Sequence, residues 1–152
     1  MKKDNRFKIV GISLRTKNER KQAAKDIEAL WETFYTNSVA NKIPHRLGND
    51  IYVVYTDYES NFKGEYTCLI GCPVKILDSI PEGLIGRKFS AQPMKHFTTK
   101  GKLPKAVGEV WERIWEKDEE LNRSYTYDLE VYSEKSNSNE EAEVDIYIGV
   151  NL

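Results

Sequence analysis

The chain has 152 residues, the length of one ordinary domain, and can bury a sizeable core without disulfides or metals. Its 23 Lys and Arg residues balance 24 Asp and Glu, which excludes the strong positive field expected of a nucleic-acid or anionic-membrane binder. Charge is uneven locally: Lys2, Lys3, Arg6, Lys8, Arg15, Lys17, Arg20, Lys21 and Lys25 crowd the first third, and residues 134–145 are mainly acidic. No apolar run approaches the ~18 residues of a membrane span, and no charged-then-apolar leader is evident, so the expectation is a soluble cytoplasmic protein.

Residues 6–16 (RFKIVGISLRT) read as a strand interrupted by Gly11. Thr16, Lys17, Asn18 and Glu19 fit a capping box for a first helix, whose residues Ala23, Ile27, Leu30, Trp31 and Phe34 fall at helical spacing. That stripe assigns Trp31 to the core. Residues 41–50 form a loop, 51–57 (IYVVYTD) a strand, and 65–74 (EYTCLIGCPV) its hairpin partner. Cys68 and Cys72 have no second Cys or His pair at ligand spacing, which argues against a zinc site; they read as small apolar residues in a reducing compartment. Residues 77–86, with Pro81 and Gly83, are the best internal linker.

The order then repeats. Short strands are expected at 85–90 and 94–99, and Pro104 stands at the start of a second helix carrying Val107, Val110, Trp111 and Ile114 on one stripe. A strand at 125–133 (YTYDLEVYS) and another at 143–150 (EVDIYIGV) complete the chain. Ile27, Leu30, Trp31 and Phe34 match Val107, Val110, Trp111 and Ile114 at an offset of about 80; Glu65, Cys68, Ile70 and Gly71 match Glu143, Ile146, Ile148 and Gly149 at about 78. The fold expected is α+β: duplicated βαββ units, about 6–76 and 84–152, forming one antiparallel sheet with two long helices and a pseudo-twofold, in a single domain over 1–152. A ligand cleft is expected at the seam between the halves.

Alternation along 125–133 puts Tyr125, Tyr127, Leu129 and Val131 on one face, and Thr126, Asp128, Glu130 and Tyr132 on the other. Glu130 has two readings, a solvated carboxylate on an amphipathic strand or a carboxylate inside an aromatic cleft. The repeat aligns it with Val53, so one half carries an acid where its sister carries an apolar residue. The same pairing is expected to bring Ile51, Val53, Tyr55, Thr67 and Leu69 onto a face with Asp128, Glu130, Tyr132, Asp145 and Tyr147. A lining of rings and acids suits a lipophilic cation without a metal or cofactor. His45 and His96 have no nucleophile motif beside them, the glycines form no phosphate loop, and a Glu–Tyr couple such as Glu130 with Tyr132 or Tyr147 is the one hydrolytic arrangement left open.

The stretch FTTKGKLPKAVGEVWERIW, the strand YDLEVYS and the tandem βαββ order resemble the GyrI-like effector-binding domain. That domain occurs at the C-terminus of AraC- and MerR-type multidrug-responsive regulators and as free-standing proteins. The first half, ALWETFYTNSVANKIPHRLGNDIYVVYTDYES, looks closest to the stand-alone integron-associated and YdeE-like members. The Lys-Gly before the second helix and the Leu-Glu-Val-Tyr strand are the most specific matches. The resemblance implies a non-enzymatic pocket for bulky hydrophobic cations, with Glu130 meeting the charge and Tyr55, Trp111, Tyr132 and Tyr147 lining it. It implies no catalytic residue and no metal or cofactor. It leaves no room for a helix-turn-helix, so direct nucleic-acid binding is not expected, nor, from the composition, is membrane binding, whereas a separate DNA-binding protein or another protein partner is compatible. Two other activities of the family stand as alternatives: hydrolysis by a Glu/Tyr pair, and gyrase-type protein interaction.

Overall fold

The computed structural model describes residues 6–19 and 21–152; Lys2, Lys3 and Arg20 of the basic N-terminal third lie outside the described residues. Strand β1 (Phe7–Lys17), helix α1 (Gln22–Thr36), the short α2 (Val39–Lys42), β2 (Ile51–Thr56) and β3 (Glu65–Val74) form the first βαββ unit. After β4 (Ile85–Phe89), the second unit comprises β5 (Met94–Gly101), α3 (Lys105–Glu116), the short α4 (Asp118–Leu121), β6 (Arg123–Tyr132) and β7 (Ala142–Val150). A 3-10 turn at Glu134–Asn137 joins the last two strands. All seven strands lie in one antiparallel sheet of order β4-β1-β3-β2-β6-β7-β5. The order β1-β3-β2 is repeated in reverse as β6-β7-β5, which is the pseudo-twofold expected of the repeat. Val53 and Glu130, equivalent by that repeat, are direct partners in the β2–β6 register, so the axis runs between them.

The sheet cannot be flat. Seven strands about 4.8 Å apart would separate β4 from β5 by roughly 29 Å, but the link from Phe89 to Met94 reaches at most about 18 Å. The sheet therefore curls until its edges approach, and the Phe89 ring lies 5.0 Å from Tyr127, four strands away in the sheet order. Ile9, Val54, Leu69, Phe89, Tyr127 and Leu129 fill the inside of the curl with no helix over them. On the other face α1 packs Leu30 and Phe34 onto Val53, Cys68, Ile70 and Cys72, and α3 packs Val107, Val110 and Ile114 onto Val144, Ile146 and Ile148. Each helix covers one half of the sheet, and the central β2–β6 seam lies between them.

Two details of the first half depart from expectation. Strand β4 hydrogen-bonds to β1, so it extends the edge of the first unit although it follows the linker. The capping box does not form: β1 runs on to Lys17, α1 starts at Gln22, and Lys21 enters it in the left-handed region with no side-chain cap. The Thr16 hydroxyl instead donates to Asp26 across 2.7 Å and ties the strand to the helix.

Gly11 and Gly71 are register partners in β1 and β3. A Cβ on Gly71 would stand 2.2 Å from the Val10 carbonyl oxygen, and one on Gly11 would stand 2.0 Å from that of Ile70. Neither backbone oxygen can move without breaking the ladder. Gly71→Ala is accordingly expected to lower unfolding free energy by about 3 kcal/mol or more, read from the urea midpoint at unchanged slope.

Candidate functional site

The seam opens into a cleft of about 1450 Å³. Its walls come from the flank of each helix beside the core stripe: Ala24, Ile27, Glu28, Trp31 and Tyr35 on α1, and Gly108, Trp111 and Trp115 on α3, with the core residue Val107 at their border. These positions recur three or four apart, as one helical face requires. Tyr55 from β2 and Glu130 with Tyr132 from β6 reach the cleft from the sheet, and Tyr58 enters from the β2–β3 connection. The rings contact one another in chains: Trp31 meets Tyr132 edge-on at 5.0 Å, and Trp111 meets Tyr55 edge-on at 5.4 Å.

Glu130 is 2% exposed. Tyr55 donates to its Oε2 at 2.8 Å, the Trp111 indole N–H donates to the same oxygen at 2.7 Å, and Tyr132 donates to Oε1 at 2.7 Å. All three donors are neutral. Among the described residues no Lys, Arg or His pairs with this carboxylate. Burial pushes the Glu130 carboxyl above the ordinary glutamate range, against the pull of the Tyr132, Tyr55 and Trp111 hydrogen bonds. Burial and the Glu130 charge push the Tyr55 and Tyr132 phenols well above theirs, so both remain donors at neutral pH.

A second buried polar cluster borders the cleft beyond Trp111. Arg123 pairs with Asp128 at 2.7 Å and with Asp118 at 3.4 Å. Asp128, fully buried, also accepts from the Tyr58 hydroxyl and from the Gly149 amide. Tyr125 donates to Asp118 and stacks beneath the guanidinium at 4.4 Å. Strand β6 shifts register between Arg123 and Asp128, and Tyr125 has φ 56°, so period-two alternation fails there. Tyr125 consequently leaves the face of Tyr127 and Leu129, where alternation had placed it.

Of the sequence-predicted site residues, Glu130, Tyr55, Trp111 and Tyr132 are brought together, and Tyr147 is not. In the β6–β7 register Glu130 faces Ile146 while Tyr147 faces Leu129, which puts Tyr147 among the residues inside the curl, stacked on His96 at 4.6 Å. The phase of β3 is corrected in the same way, because Val53 and Tyr55 are partnered by Ile70 and Cys68 rather than flanked by Thr67 and Leu69. A one-residue slip in register exchanges the two faces of a strand. The surface around Glu130 is therefore less acidic and more apolar than expected, with Asp145 on the opposite face. Sequence reasoning missed Trp31, Tyr58, Trp115 and Arg123. For Trp31 a signal existed, its repeat equivalence to Trp111; Tyr58 and Arg123 sit in a connection and at a bulge, where no period applies.

Known proteins match almost the full length of the chain, not only the cleft. Residues 1–150 match the model of the Cass2 family, described as integron-associated effector binding protein. The chain belongs to this family. Small-molecule binding is thereby its function at the coarsest level. A crystal structure of the integron cassette protein VCH_CASS2, from the mobile metagenome of Vibrio cholerae, is 28% identical and superposes with a TM-score of 0.74 over 97% of this chain and 92% of that one. YobU of Bacillus subtilis (strain 168), described as a candidate transcriptional regulator, is 26% identical over 94% of this chain and 91% of its own length. The protein SAV2435, solved bound to tetraphenylphosphonium, shares the fold at a TM-score of 0.77 and 18% identity, with 96% and 89% of the two chains covered. Among the described residues no helix is long and apolar enough to cross a membrane, and no group of three or more His, Cys, Asp or Glu side chains is placed to hold a metal ion.

Proposed function

We propose that the cleft binds bulky lipophilic cations, with Glu130 as the counter-charge and Trp31, Tyr55, Trp111 and Tyr132 as the aromatic lining. The observation that carries this reading is a 2% exposed carboxylate held by three neutral donors and no cation among the described residues. A buried carboxylate without a counter-ion is costly in the empty protein. A desolvated cation with aromatic substituents relieves that cost and gains ring-face attraction besides. The effector-binding family and the tetraphenylphosphonium-bound relative in fold support the same chemistry.

Tetraphenylphosphonium and other lipophilic cations are expected to raise the melting temperature by an amount that grows with the logarithm of ligand concentration above Kd, while uncharged compounds of similar ring content raise it far less. Glu130→Gln should cancel the cation-specific part of the shift. Equal shifts for charged and uncharged compounds, or for the two proteins, would overturn the assignment of Glu130. Consumption of a reactive ester that depends on both Glu130 and Tyr132 would instead favour hydrolysis.

A further inference from the structure

Trp111 separates two poles of the cleft. Its indole N–H binds Glu130 at 2.7 Å, and its ring lies 5.8 Å from the Arg123 guanidinium. The Arg123 side chain is 1% exposed, yet the residue lines the cleft. Two of its three nitrogens are engaged, Nη2 donating to Asp128 and Nη1 to Asp118. The third, Nε, carries a buried N–H with no acceptor among the described residues. A buried donor on a charged group is among the more costly groups to leave unmet, and such a group beside a ligand cleft calls for an occupant.

Charge decides what kind of acceptor fits. One guanidinium between Asp118 and Asp128 leaves this end with a formal charge of −1, so an anionic group is disfavoured and a neutral oxygen is not. The guanidinium is also fixed in place, with Tyr125 against its face and carboxylates on both terminal nitrogens, so its Nε–H has a defined position relative to Glu130. We propose that this end of the cleft is a subsite for a neutral hydrogen-bond acceptor, a carbonyl, amide or ether oxygen, with Arg123 Nε as its donor. The effector would then carry a cationic centre at Glu130 and such an oxygen at a set spacing, on either side of Trp111. This inference rests on the cleft being a ligand site and adds the second pole that selects among its ligands.

The test uses matched ligands on the intact chain, with binding followed by tryptophan fluorescence. One series is an arylalkyl quaternary ammonium in which a single methylene is replaced by a carbonyl, moved stepwise along the linker. A second, neutral pair sets an aryl ketone against the hydrocarbon of the same skeleton. At one linker position the carbonyl is expected to tighten binding about tenfold, and the neutral ketone should exceed its hydrocarbon likewise. Arg123→Lys keeps a positive charge facing Asp128 but has no Nε–H; it should abolish the preference for the carbonyl over the methylene ligand, whatever it does to the affinity the two share. A flat carbonyl series together with an indifferent neutral pair in the native protein overturns the inference even if Arg123→Lys fails to fold, and so does a carbonyl preference that survives in Arg123→Lys. Failure of every cation to bind, with the ketone preference intact, would remove Glu130 as counter-charge and leave the acceptor subsite standing.

Discussion

Asp128→Ala is expected to destabilise the protein by about 3–5 kcal/mol, the range seen when one partner of a buried ion pair is removed. The effect arises from what is left behind. Arg123 would remain 1% exposed with the 3.4 Å contact to Asp118 as its one ion pair among the described residues, and the Gly149 amide and the Tyr58 hydroxyl would each lose their acceptor. Burial already pushes the Asp128 carboxyl above its ordinary value, with Arg123, Tyr58 and the Gly149 amide pulling it back, so the site is balanced on these partners. Asp128→Asn keeps the shape and an acceptor for Gly149 while losing the charge, and should fall between the native protein and the alanine variant. Urea denaturation of the three proteins at neutral pH gives the order directly. A loss under about 1 kcal/mol for Asp128→Ala would mean that the cluster relaxes or hydrates at little cost. The loss should also reach the cleft, because Arg123 packs beside the Trp111 ring whose N–H holds Glu130.

How far the sequence could be read depended on whether a period applied. Helix stripes and the paired offsets placed both βαββ units, and the aligned pair of Val53 and Glu130 proved to be register partners across the seam. Glu130 was legible because its strand alternates regularly from Asp128 onward and because its repeat equivalent is apolar. The phase of β3 and β7 against the centre was not legible: alternation within a strand says nothing about which residue of a neighbour it meets, and that step misplaced Tyr147 and Asp145. Trp31, assigned to the core, does pack against the cluster of Leu30 and Phe34, and its flank of α1 also turns toward the cleft, which the core stripe alone did not show. The bulge at Tyr125 hid Arg123 altogether, since a positive φ on a tyrosine depends on the Asp118, Arg123 and Tyr58 contacts that hold it. Tyr58 and Arg123 are thus fixed by tertiary contact rather than by a period, and both belong to the Asp128 cluster that borders the cleft.

Glu130→Gln should move ligand-free stability and cation affinity in opposite directions. In the empty protein burial raises the folded-state pKa of Glu130 above the ordinary 4.5, so its contribution is fully present below that ordinary value and is lost as pH rises through the folded pKa. Ionisation of the buried side chain as pH rises above its ordinary range therefore subtracts from stability. Glutamine occupies the same space uncharged, and the Tyr55 and Tyr132 hydroxyls can rotate to accept from its amide. Unfolding free energy of the ligand-free variant is expected to rise by on the order of 1 kcal/mol at pH 7. Affinity for a lipophilic cation is expected to fall about 30-fold or more, since a desolvated charge loses its partner. The same linkage gives native binding a pH dependence that the variant lacks. Cation affinity should weaken as pH falls through the raised Glu130 pKa, with a midpoint above 4.5, and binding near that midpoint should release protons. Titration calorimetry in buffers of different ionisation enthalpy measures that release. A native affinity that stays flat between pH 8 and pH 4, or a Glu130→Gln variant with the same slope, would show that the cation is held by the rings alone.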